Sequence, residues 1–269
     1  MPAPKFCVLR APGTNCDLET VYAFERSGGQ AQRVHVNRLI EEPTLLAGFQ
    51  GLCIPGGFSF GDDVGAGVLM GGLLSSQVSD ELAAFLQRDT LTLGICNGFQ
   101  VLVKAGILPG GARDFPPVGQ RRLTLTWNLS GRYDTRWVTL RSVATNCPFL
   151  DGIETIEMPM AHAEGRLVLG EGMSVSALHE AGNVAVVYRP AGDETPFAAG
   201  EDVHPMPTNP NGSVANIAGL CSPDGRVLGL MPHPERFIDA TQHPQWTRRG
   251  LTGDGEGLKL FENAVNYFG

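Results

Sequence analysis

Cys96 is the residue whose surroundings most strongly suggest catalysis. The segment 94–98 reads Gly-Ile-Cys-Asn-Gly, and Cys96 lies between an apolar run at 91–95 and a helix-forming run at 99–105. This is the form of a nucleophile elbow, in which a strained turn presents the nucleophile and glycines leave room for close backbone contact. A helix N-terminus also favours thiolate over thiol. The alternative is a buried cysteine beside two packing glycines, and the segment alone leaves both interpretations open.

A catalytic thiolate needs a general base, and the imidazole of that base needs a group that orients it. Two His-x-Glu pairs offer both, because residues two apart in an extended chain face the same side. One pair is His233 with Glu235, where a proline on either side of the histidine restricts the backbone. The other is His162 with Glu164. The stiffer backbone favours the later pair, although a histidine in either setting is more often structural.

A glycine-rich loop offers backbone amides for an oxyanion. Residues 55–62 read Pro-Gly-Gly-Phe-Ser-Phe-Gly-Asp and follow an apolar run at 52–54. Exposed N–H groups of such a loop, together with the amide of Asn97, could stabilise a tetrahedral intermediate. A βα loop that binds no ligand is the alternative. The glycines at 65 and 67 do not directly follow a strand, so we discount them as a nucleotide-binding motif.

The elements that must position these residues alternate between short apolar runs and amphipathic stretches, which predicts an α/β fold with a mainly parallel sheet flanked by helices. A helix capped by Asp17 would turn Leu18, Val21 and Phe24 inward. The segments at 123–127, 137–140 and 184–188 look antiparallel or edge-like. The other predicted strands are 6–9, 34–36, 52–54, 91–95, 214–220 and 227–231, and the other predicted helices are 80–87, 99–105 and 258–268.

Composition excludes several classes of protein. The net charge of −8 repels phosphate backbones, and the basic residues are concentrated only in the pairs at 121–122 and 248–249. No apolar run is long enough for a membrane span, and the first residues do not resemble a signal peptide. The six cysteines lack metal-binding spacing, so we expect no metal and mostly buried thiols. We therefore predict a cytoplasmic protein with one domain over 1–269.

Together these segments resemble the class I, or triad, glutamine amidotransferases, whose motifs are Pro-Gly-Gly, then Gly-x-Cys-x-Gly-x-Gln, then a late His-x-Glu. All three occur here in that order, at 55–57, 94–100 and 233–235. Within that class the chain most resembles the family of glutaminase subunits of phosphoribosylformylglycinamidine synthase. The segments that carry this likeness are 9–17, 57–62, 161–166, 209–213 and 229–236.

The resemblance implies a flavodoxin-like fold and the hydrolysis of glutamine to glutamate and ammonia. Cys96 would be the nucleophile, His233 the base and Glu235 its partner. The backbone amides of Gly57 and Asn97 would form the oxyanion hole. The side chains implied to lie beside the bound glutamine are those of Phe58 and Gln100.

The resemblance further implies that the ammonia passes to a separate synthetase subunit, with or without a small accessory subunit. That synthetase would convert formylglycinamide ribonucleotide to its amidine in purine synthesis. ATP and Mg²⁺ would bind to the synthetase, and this chain would hold no cofactor. One departure is Ala163, since the family usually has glycine there and a methyl group could narrow the site.

Two other functions stay open on the sequence. One is a cysteine α/β hydrolase that acts on esters or peptides through the same elbow. The other is a non-catalytic regulatory subunit that retains the fold, although retention of Cys96, His233 and Glu235 together argues against it.

Overall fold

The computed structural model describes residues 2–117 and 123–269, so the basic pair at 121–122 lies outside the described residues. The strands are β1 Lys5–Arg10, β2 Gln30–His35, β3 Gly51–Ile54, β4 Leu91–Ile95, β5 Leu123–Thr126, β6 Asp134–Ser142, β7 Thr155–His162, β8 Arg166–Leu169, β9 Val184–Arg189, β10 Ile217–Cys221 and β11 Val227–Leu230. The α-helices are α1 Asp17–Arg26, α2 Val36–Glu41, α3 Val68–Gln77, α4 Ser79–Gln87, α5 Asn97–Ala105, α6 Val175–Glu180, α7 Trp246–Arg249 and α8 Leu258–Asn266.

A nine-stranded sheet with the order β2-β1-β3-β4-β11-β10-β9-β6-β7 forms the centre of the fold. The first five strands in that order pair in parallel, and the remaining pairs are antiparallel. Strands β5 and β8 form a separate antiparallel pair. The predicted α/β class, with a mainly parallel core and an antiparallel extension, is confirmed. The prediction of a single domain over 1–269 stays a prediction.

The parallel strands are buried because helices pack against them. Helix α1 meets β1 through the stacked rings of Phe24 and Phe6, whose centroids are 4.2 Å apart, and it meets α8 through the edge-on rings of Phe24 and Phe261, whose centroids are 5.0 Å apart. Helix α5 packs against β3, β4 and β11 and also against α3. Every residue of β3, β4 and β11 is buried. These apolar strands therefore end together at one edge of the sheet, where the loops that carry the predicted site begin.

The predicted hairpin between β10 and β11 is present. The two strands pair antiparallel, with Leu220 opposite Gly229, and the amide of Gly225 donates to the carbonyl of Ser222 across the turn. The predicted strand at 214–220 begins later than expected, because Ala215 and Asn216 have positive φ and the Asn216 side chain bonds to neighbouring backbone. A side-chain network therefore holds this segment in a turn before β10 starts.

Some boundaries and faces predicted from the sequence are wrong. Asp17 is the first residue of α1 rather than its cap, and Leu18 is 62% exposed because the buried face of α1 runs through Thr20 and Phe24. Strand β2 ends at His35, whose side chain accepts a hydrogen bond from the Asn37 amide and so starts α2. Strand β9 pairs antiparallel with both of its neighbours, one of the two predicted alternatives, and it is wholly buried inside the sheet rather than at its edge.

All six cysteines are buried and none is in a disulfide. Among the described residues, no helix combines the length and the apolar character that a membrane crossing requires.

Replacement of Gly98 by alanine is expected to lower the free energy of unfolding by at least about 2 kcal/mol, as overpacking does in cores. The added Cβ would lie only 1.7 Å from the carbonyl oxygen of Ile54, so α5 could not keep its close approach to β3. Gly72→Ala in α3 is the matched control, because no atom lies within 4 Å of its added Cβ. That control should stabilise the chain by up to about 1 kcal/mol. Urea unfolding measures the free energy of unfolding of both variants, and equal effects would contradict the close packing of α5 against β3.

Candidate active site

Cys96 occupies the sharp turn between β4 and α5. Its backbone has φ 52° and ψ −105°, a conformation that residues with a side chain rarely adopt. The amide of Cys96 donates to the carbonyl of Leu230 at 2.8 Å, and Sγ lies 3.7 Å from the carbonyl oxygen of Ala161. The residue is 5% exposed. The predicted elbow is therefore present, and the sulfur sits between the ends of the parallel strands and β7.

His233 and Glu235 follow β11 and form a buried pair. His233 Nδ1 lies 2.6 Å from Glu235 Oε1, and the two side chains are 2% and 0% exposed. The amide of His233 donates to the carbonyl of Pro159 at 2.8 Å, which fixes the turn against β7. Among the described residues His233 Nε2 has no hydrogen-bond partner. That nitrogen is therefore free to exchange a proton with a reacting group.

The charges around His233 favour its protonated form. Burial lowers the pKa of His233, but the Glu235 carboxylate and the neighbouring Cys96 sulfur outweigh burial and hold the pKa well above its usual value. The Cys96 sulfur is thus a near neighbour of the His233 imidazole. The arrangement therefore holds a positive charge on His233 beside the Cys96 sulfur.

The competing pair, His162 and Glu164, does not form. His162 Nδ1 lies 3.1 Å from Asn128 Oδ1, while the Glu164 carboxylate accepts a hydrogen bond from the amide of Ala66 at 3.2 Å. Burial, with a further contribution from the charge on His233, lowers the pKa of His162 to about 3. His162 is therefore a neutral, buried histidine without a carboxylate partner.

The loop after β3 places the predicted oxyanion amides beside this cluster. Gly56 packs against the imidazole of His233, since a Cβ there would lie 2.7 Å from Cε1. Gly57 has φ +144° and forms an isolated antiparallel β-bridge with Thr14, so the loop is held to the segment after β1. Neither the Gly57 nor the Asn97 amide donates a hydrogen bond to another described residue. Both N–H groups remain available to a ligand.

Cys96 opens onto a cavity of about 260 Å³. Phe58 is 42% exposed at its rim, whereas Gln100 is 3% exposed. The Gln100 side chain accepts from Asn97 Nδ2 at 3.0 Å and donates to the carbonyl of Glu164 at 2.5 Å. The cavity is lined by Gly57, Phe58, Gly61, Asp62, Cys96, Gln100, Trp127, Ala161, His162, Ala163 and Glu164.

Two residues beside the His233 pair were not singled out from the sequence. Cys16 Sγ lies 4.0 Å from His233 Nδ1, and the guanidinium of Arg236 donates to this sulfur at 3.0 Å and to Glu19 at 2.8 Å. Both belong to segments that carry the family likeness, but their mutual contact had no sequence signal. Burial raises the pKa of Cys16 to about 11, so its thiol stays protonated at neutral pH.

Cys16, His233 and Glu235 are also a donor set that could hold a metal ion, since their ligand atoms lie within 4.8 Å of one another. In this structure His233 and Glu235 form a hydrogen bond with each other, and the Arg236 guanidinium donates a hydrogen bond to the Cys16 sulfur. A cation would have to displace both contacts, so the donor set fits an internal hydrogen-bond network better than a metal site.

The segment 209–213 holds one wall of the cavity in place. Asn211 Nδ2 and the Ser213 hydroxyl both donate to the carbonyl of Gly165, and the Ser213 hydroxyl accepts from the Leu167 amide. Asn128 holds the same wall from the other side, by donating to the carbonyl of His162 and accepting from the Gly165 amide. The sequence motif at 209–213 therefore positions the loop that follows β7.

Comparison with known proteins places this site in a family. The model of the CobB/CobQ-like glutamine amidotransferase domain matches residues 3–268. Phosphoribosylformylglycinamidine synthase subunit PurQ from Dehalococcoides mccartyi is 43% identical over 268 residues, which cover 99% of this chain and 98% of that relative. The chain belongs to the PurQ family of glutamine amidotransferases.

Further members of the PurQ family agree with this placement. The subunit of the same name from Pyrococcus horikoshii is 35% identical over 98% of both chains. Among solved structures, a chain in the structure of PurLQS from Thermotoga maritima matches with a TM-score of 0.71 and 29% identity, covering 99% of this chain and all of that chain. The glutamine amidotransferase class predicted from the three motifs and the family predicted from the five further segments are thus confirmed.

Ala163, the departure from the usual family motif, lines the cavity and fits without backbone strain. Its carbonyl accepts from the Asn128 amide at 2.7 Å, and it is not among the residues with positive φ. A side chain at this position therefore needs no unusual backbone conformation.

His162 should make the folded chain sensitive to mild acid. Its pKa is about 3 in the folded chain, against an ordinary value of 6.5. Below pH 6.5 the unfolded chain therefore binds a proton that the folded chain does not, and this favours unfolding. Stability should fall between pH 6.5 and 4 by up to about 1.4 kcal/mol per pH unit from this group. His162→Gln should remove that share of the slope, measured by urea unfolding at several pH values. An unchanged slope would contradict a neutral, buried His162.

Proposed function

We propose that this chain is the glutaminase subunit of a phosphoribosylformylglycinamidine synthase, acting in the cytoplasm. It hydrolyses L-glutamine and supplies ammonia to an ATP-dependent synthetase. The observation that carries the proposal is the arrangement of the Cys96 elbow beside a buried imidazole whose Nδ1 is held by Glu235 at 2.6 Å. Membership of the PurQ family and the names of the relatives support the same activity.

The first half of the reaction forms a thioester. The Cys96 sulfur attacks the side-chain carbonyl carbon of glutamine, and the C–N bond of the tetrahedral intermediate then breaks. His233 takes up the thiol proton and returns it to the departing nitrogen, which leaves as ammonia. Glu235 holds the imidazole orientation and stabilises its positive charge, in agreement with the raised pKa of His233.

The oxyanion would be stabilised by the amides of Gly57 and Asn97. Both amides have no other acceptor in the described chain, and Asn97 is at the N-terminus of α5, where the helix dipole adds positive potential. Each such donor contributes about 3 kcal/mol to the transition state in other enzymes.

The second half of the reaction hydrolyses the thioester. Neutral His233 removes a proton from water, the hydroxide adds to the thioester carbon, and the C–S bond breaks to give glutamate and the Cys96 thiolate. Phe58 at the rim and Gln100 in the wall are proposed as neighbours of the bound glutamine.

Ammonia then passes to a synthetase subunit, with or without a small accessory subunit. That partner converts formylglycinamide ribonucleotide to its amidine and binds ATP and Mg²⁺. The chemistry assigned to this chain needs no cofactor, because proton transfer and nucleophilic attack are both supplied by side chains.

Cys96→Ala should abolish glutamine-dependent synthesis in the reconstituted complex and leave synthesis from added ammonia intact, because only the thioester step is lost. Cys147→Ala is the matched control, since that thiol is also buried but lies outside the cavity. The measurement follows glutamate, ATP and product together. Loss of ammonia-dependent synthesis, or turnover of simple esters instead of glutamine, would contradict the proposal.

His233→Ala and His162→Ala separate the two candidate bases. The first should lower kcat by about 10²-fold or more, because general acid and base catalysis is lost. The second should be milder, because His162 has no carboxylate partner. Steady-state glutaminase rates with the partner present give both values, and equal losses would show that the base is misassigned.

A further inference from the structure

A polar cluster outside the cavity borders the His233 imidazole, and the reaction described so far does not use it. Cys16 directly precedes α1, Glu19 lies in the first turn of α1, and Arg236 ends the short 3₁₀-helix that follows β11. None of the three lines the cavity of the nucleophile. They are therefore placed to act on the reaction only through the imidazole or its carboxylate partner.

Cys16 is fixed against one edge of the imidazole. Its amide donates to the carbonyl of Gly56 at 3.2 Å, and its carbonyl accepts from the hydroxyl of Thr20 at 2.6 Å. Its Sγ lies 4.0 Å from His233 Nδ1. A Cβ at Gly56 would lie 2.7 Å from His233 Cε1 and 3.0 Å from Cys16 Sγ, so the loop, the sulfur and the ring are close neighbours. The sulfur and the loop therefore limit rotation of the ring about its bond to Glu235.

The hydrogen of the Cys16 thiol is directed away from the imidazole. Burial raises the pKa of Cys16 to about 11, so the sulfur carries one hydrogen at neutral pH. Asn15 Oδ1 lies 3.2 Å from Sγ, closer than His233 Nδ1 at 4.0 Å, and accepts that hydrogen. The guanidinium of Arg236 donates to the same sulfur at 3.0 Å. Because its hydrogen and a lone pair are both engaged, the thiol does not compete for Nδ1.

The nitrogen that carries the hydrogen decides whether neutral His233 can act as a base. An ionised Glu235 carboxylate only accepts hydrogen bonds, so its 2.6 Å contact requires a hydrogen on Nδ1. Nε2 is then the nitrogen that loses and regains the proton. A thiol that donated to Nδ1 would favour the opposite tautomer, in which Nε2 already carries a hydrogen and cannot take one from water. In a serine protease the wrong tautomer lowers kcat about 10⁴-fold.

Most titratable groups around the buried pair are uncharged at neutral pH. The groups that interact electrostatically with His233 or Glu235 include Cys16, Cys53, Cys96, Tyr133, His162 and Arg236. Burial raises the pKa of Cys16, Cys53 and Tyr133 above their usual values. It lowers the pKa of His162 to about 3. Arg236, by contrast, carries a permanent positive charge.

Arg236 stabilises the Glu235 carboxylate. Burial lowers the pKa of Arg236, but the hydrogen bond to Glu19 at 2.8 Å and nearby negative charge, including that of Glu235, outweigh burial and raise the pKa above its usual value. Glu235 is 0% exposed, and its Oε2 has no hydrogen-bond partner among the described residues. A second cation near this carboxylate favours its ionised form while His233 is neutral, and so keeps it an acceptor for Nδ1.

We infer that Cys16 and Arg236 are positioning residues for His233. Together they keep the hydrogen of Nδ1 on Glu235, so that Nε2 is the nitrogen that exchanges protons with the reacting groups. Their role rests on the proposed glutaminase function, in which neutral His233 must act as a base. Because neither residue lines the cavity, both should affect kcat and have little effect on KM.

The test measures kcat and KM for L-glutamine over a range of pH, in the full chain reconstituted with its synthetase. Cys16→Ala and Arg236→Gln should each lower kcat about 10- to 100-fold, the range for partners that orient an imidazole in metal sites. They should change KM by less than about threefold, which also shows that the site remains folded.

The pH–rate profile separates the two residues. Loss of the Arg236 charge should displace the profile of Arg236→Gln to higher pH by about half a unit or more, because a nearby cation lowers the pKa of the acids beside it. Arg236→Lys keeps the charge and should restore the wild-type profile. Cys16→Ala removes an uncharged group and should leave the profile in place.

Two variants outside the cluster are the matched controls. Cys7 is as fully buried as Cys16, so Cys7→Ala tests the loss of a buried thiol. Arg26 forms ion pairs with Asp239 and Asp254, so Arg26→Gln tests the loss of a paired guanidinium near α1. Both variants should keep the wild-type kcat and the wild-type pH–rate profile.

A wild-type kcat in either Cys16→Ala or Arg236→Gln overturns the inference, as does a rise of KM in parallel with the loss of kcat. A loss in Arg236→Gln that leaves the profile in place and that Arg236→Lys shares also overturns it, because such a loss is structural. If the wild-type complex itself hydrolyses no glutamine, the proposed function fails as well, and the two failures are thereby distinguished.

Discussion

The bond between a buried imidazole and a buried carboxylate is the interaction on which the site depends. An unpaired charge in a buried site would be costly in free energy, but the opposite charges of His233 and Glu235 compensate each other. The carboxylate thereby makes an imidazolium stable beside the Cys96 sulfur. The fold serves this pairing, because the strands that carry the nucleophile and the histidine, β4 and β11, are hydrogen-bonded neighbours. Short turns after adjacent strands then suffice to bring the two side chains together.

Much of this arrangement could be predicted from the sequence, because the signals are local. Strand β4 was predicted at 91–95, where it is found, since a short apolar run followed by glycine and a helix-forming run has few alternatives. The glycines around Cys96 and the prolines around His233 restrict the backbone within a few residues. The order of the three motifs then supplied the amidotransferase class, and five further segments supplied the family. The roles of the individual site residues remain predictions that only kinetics can test.

The features of the fold and the site that were not predicted depend on contacts between distant segments, which one sequence does not reveal. Asp62 and Glu164 belong to different loops, and their repulsion exists only once β3 and β7 are folded. Helix α3 was not predicted, because its two glycines and its lack of a polar face remove the amphipathic pattern. Leu18 was expected inside on periodicity alone, whereas the direction in which α1 packs exposes it.

Strand β7 lies at the edge of the sheet and yet contacts both halves of the reacting pair. The carbonyl of Pro159 holds the His233 backbone, and the carbonyl of Ala161 faces the Cys96 sulfur. One outer strand therefore positions both the nucleophile and the base. A displacement of this strand would therefore alter the position of the nucleophile and the position of the base at once.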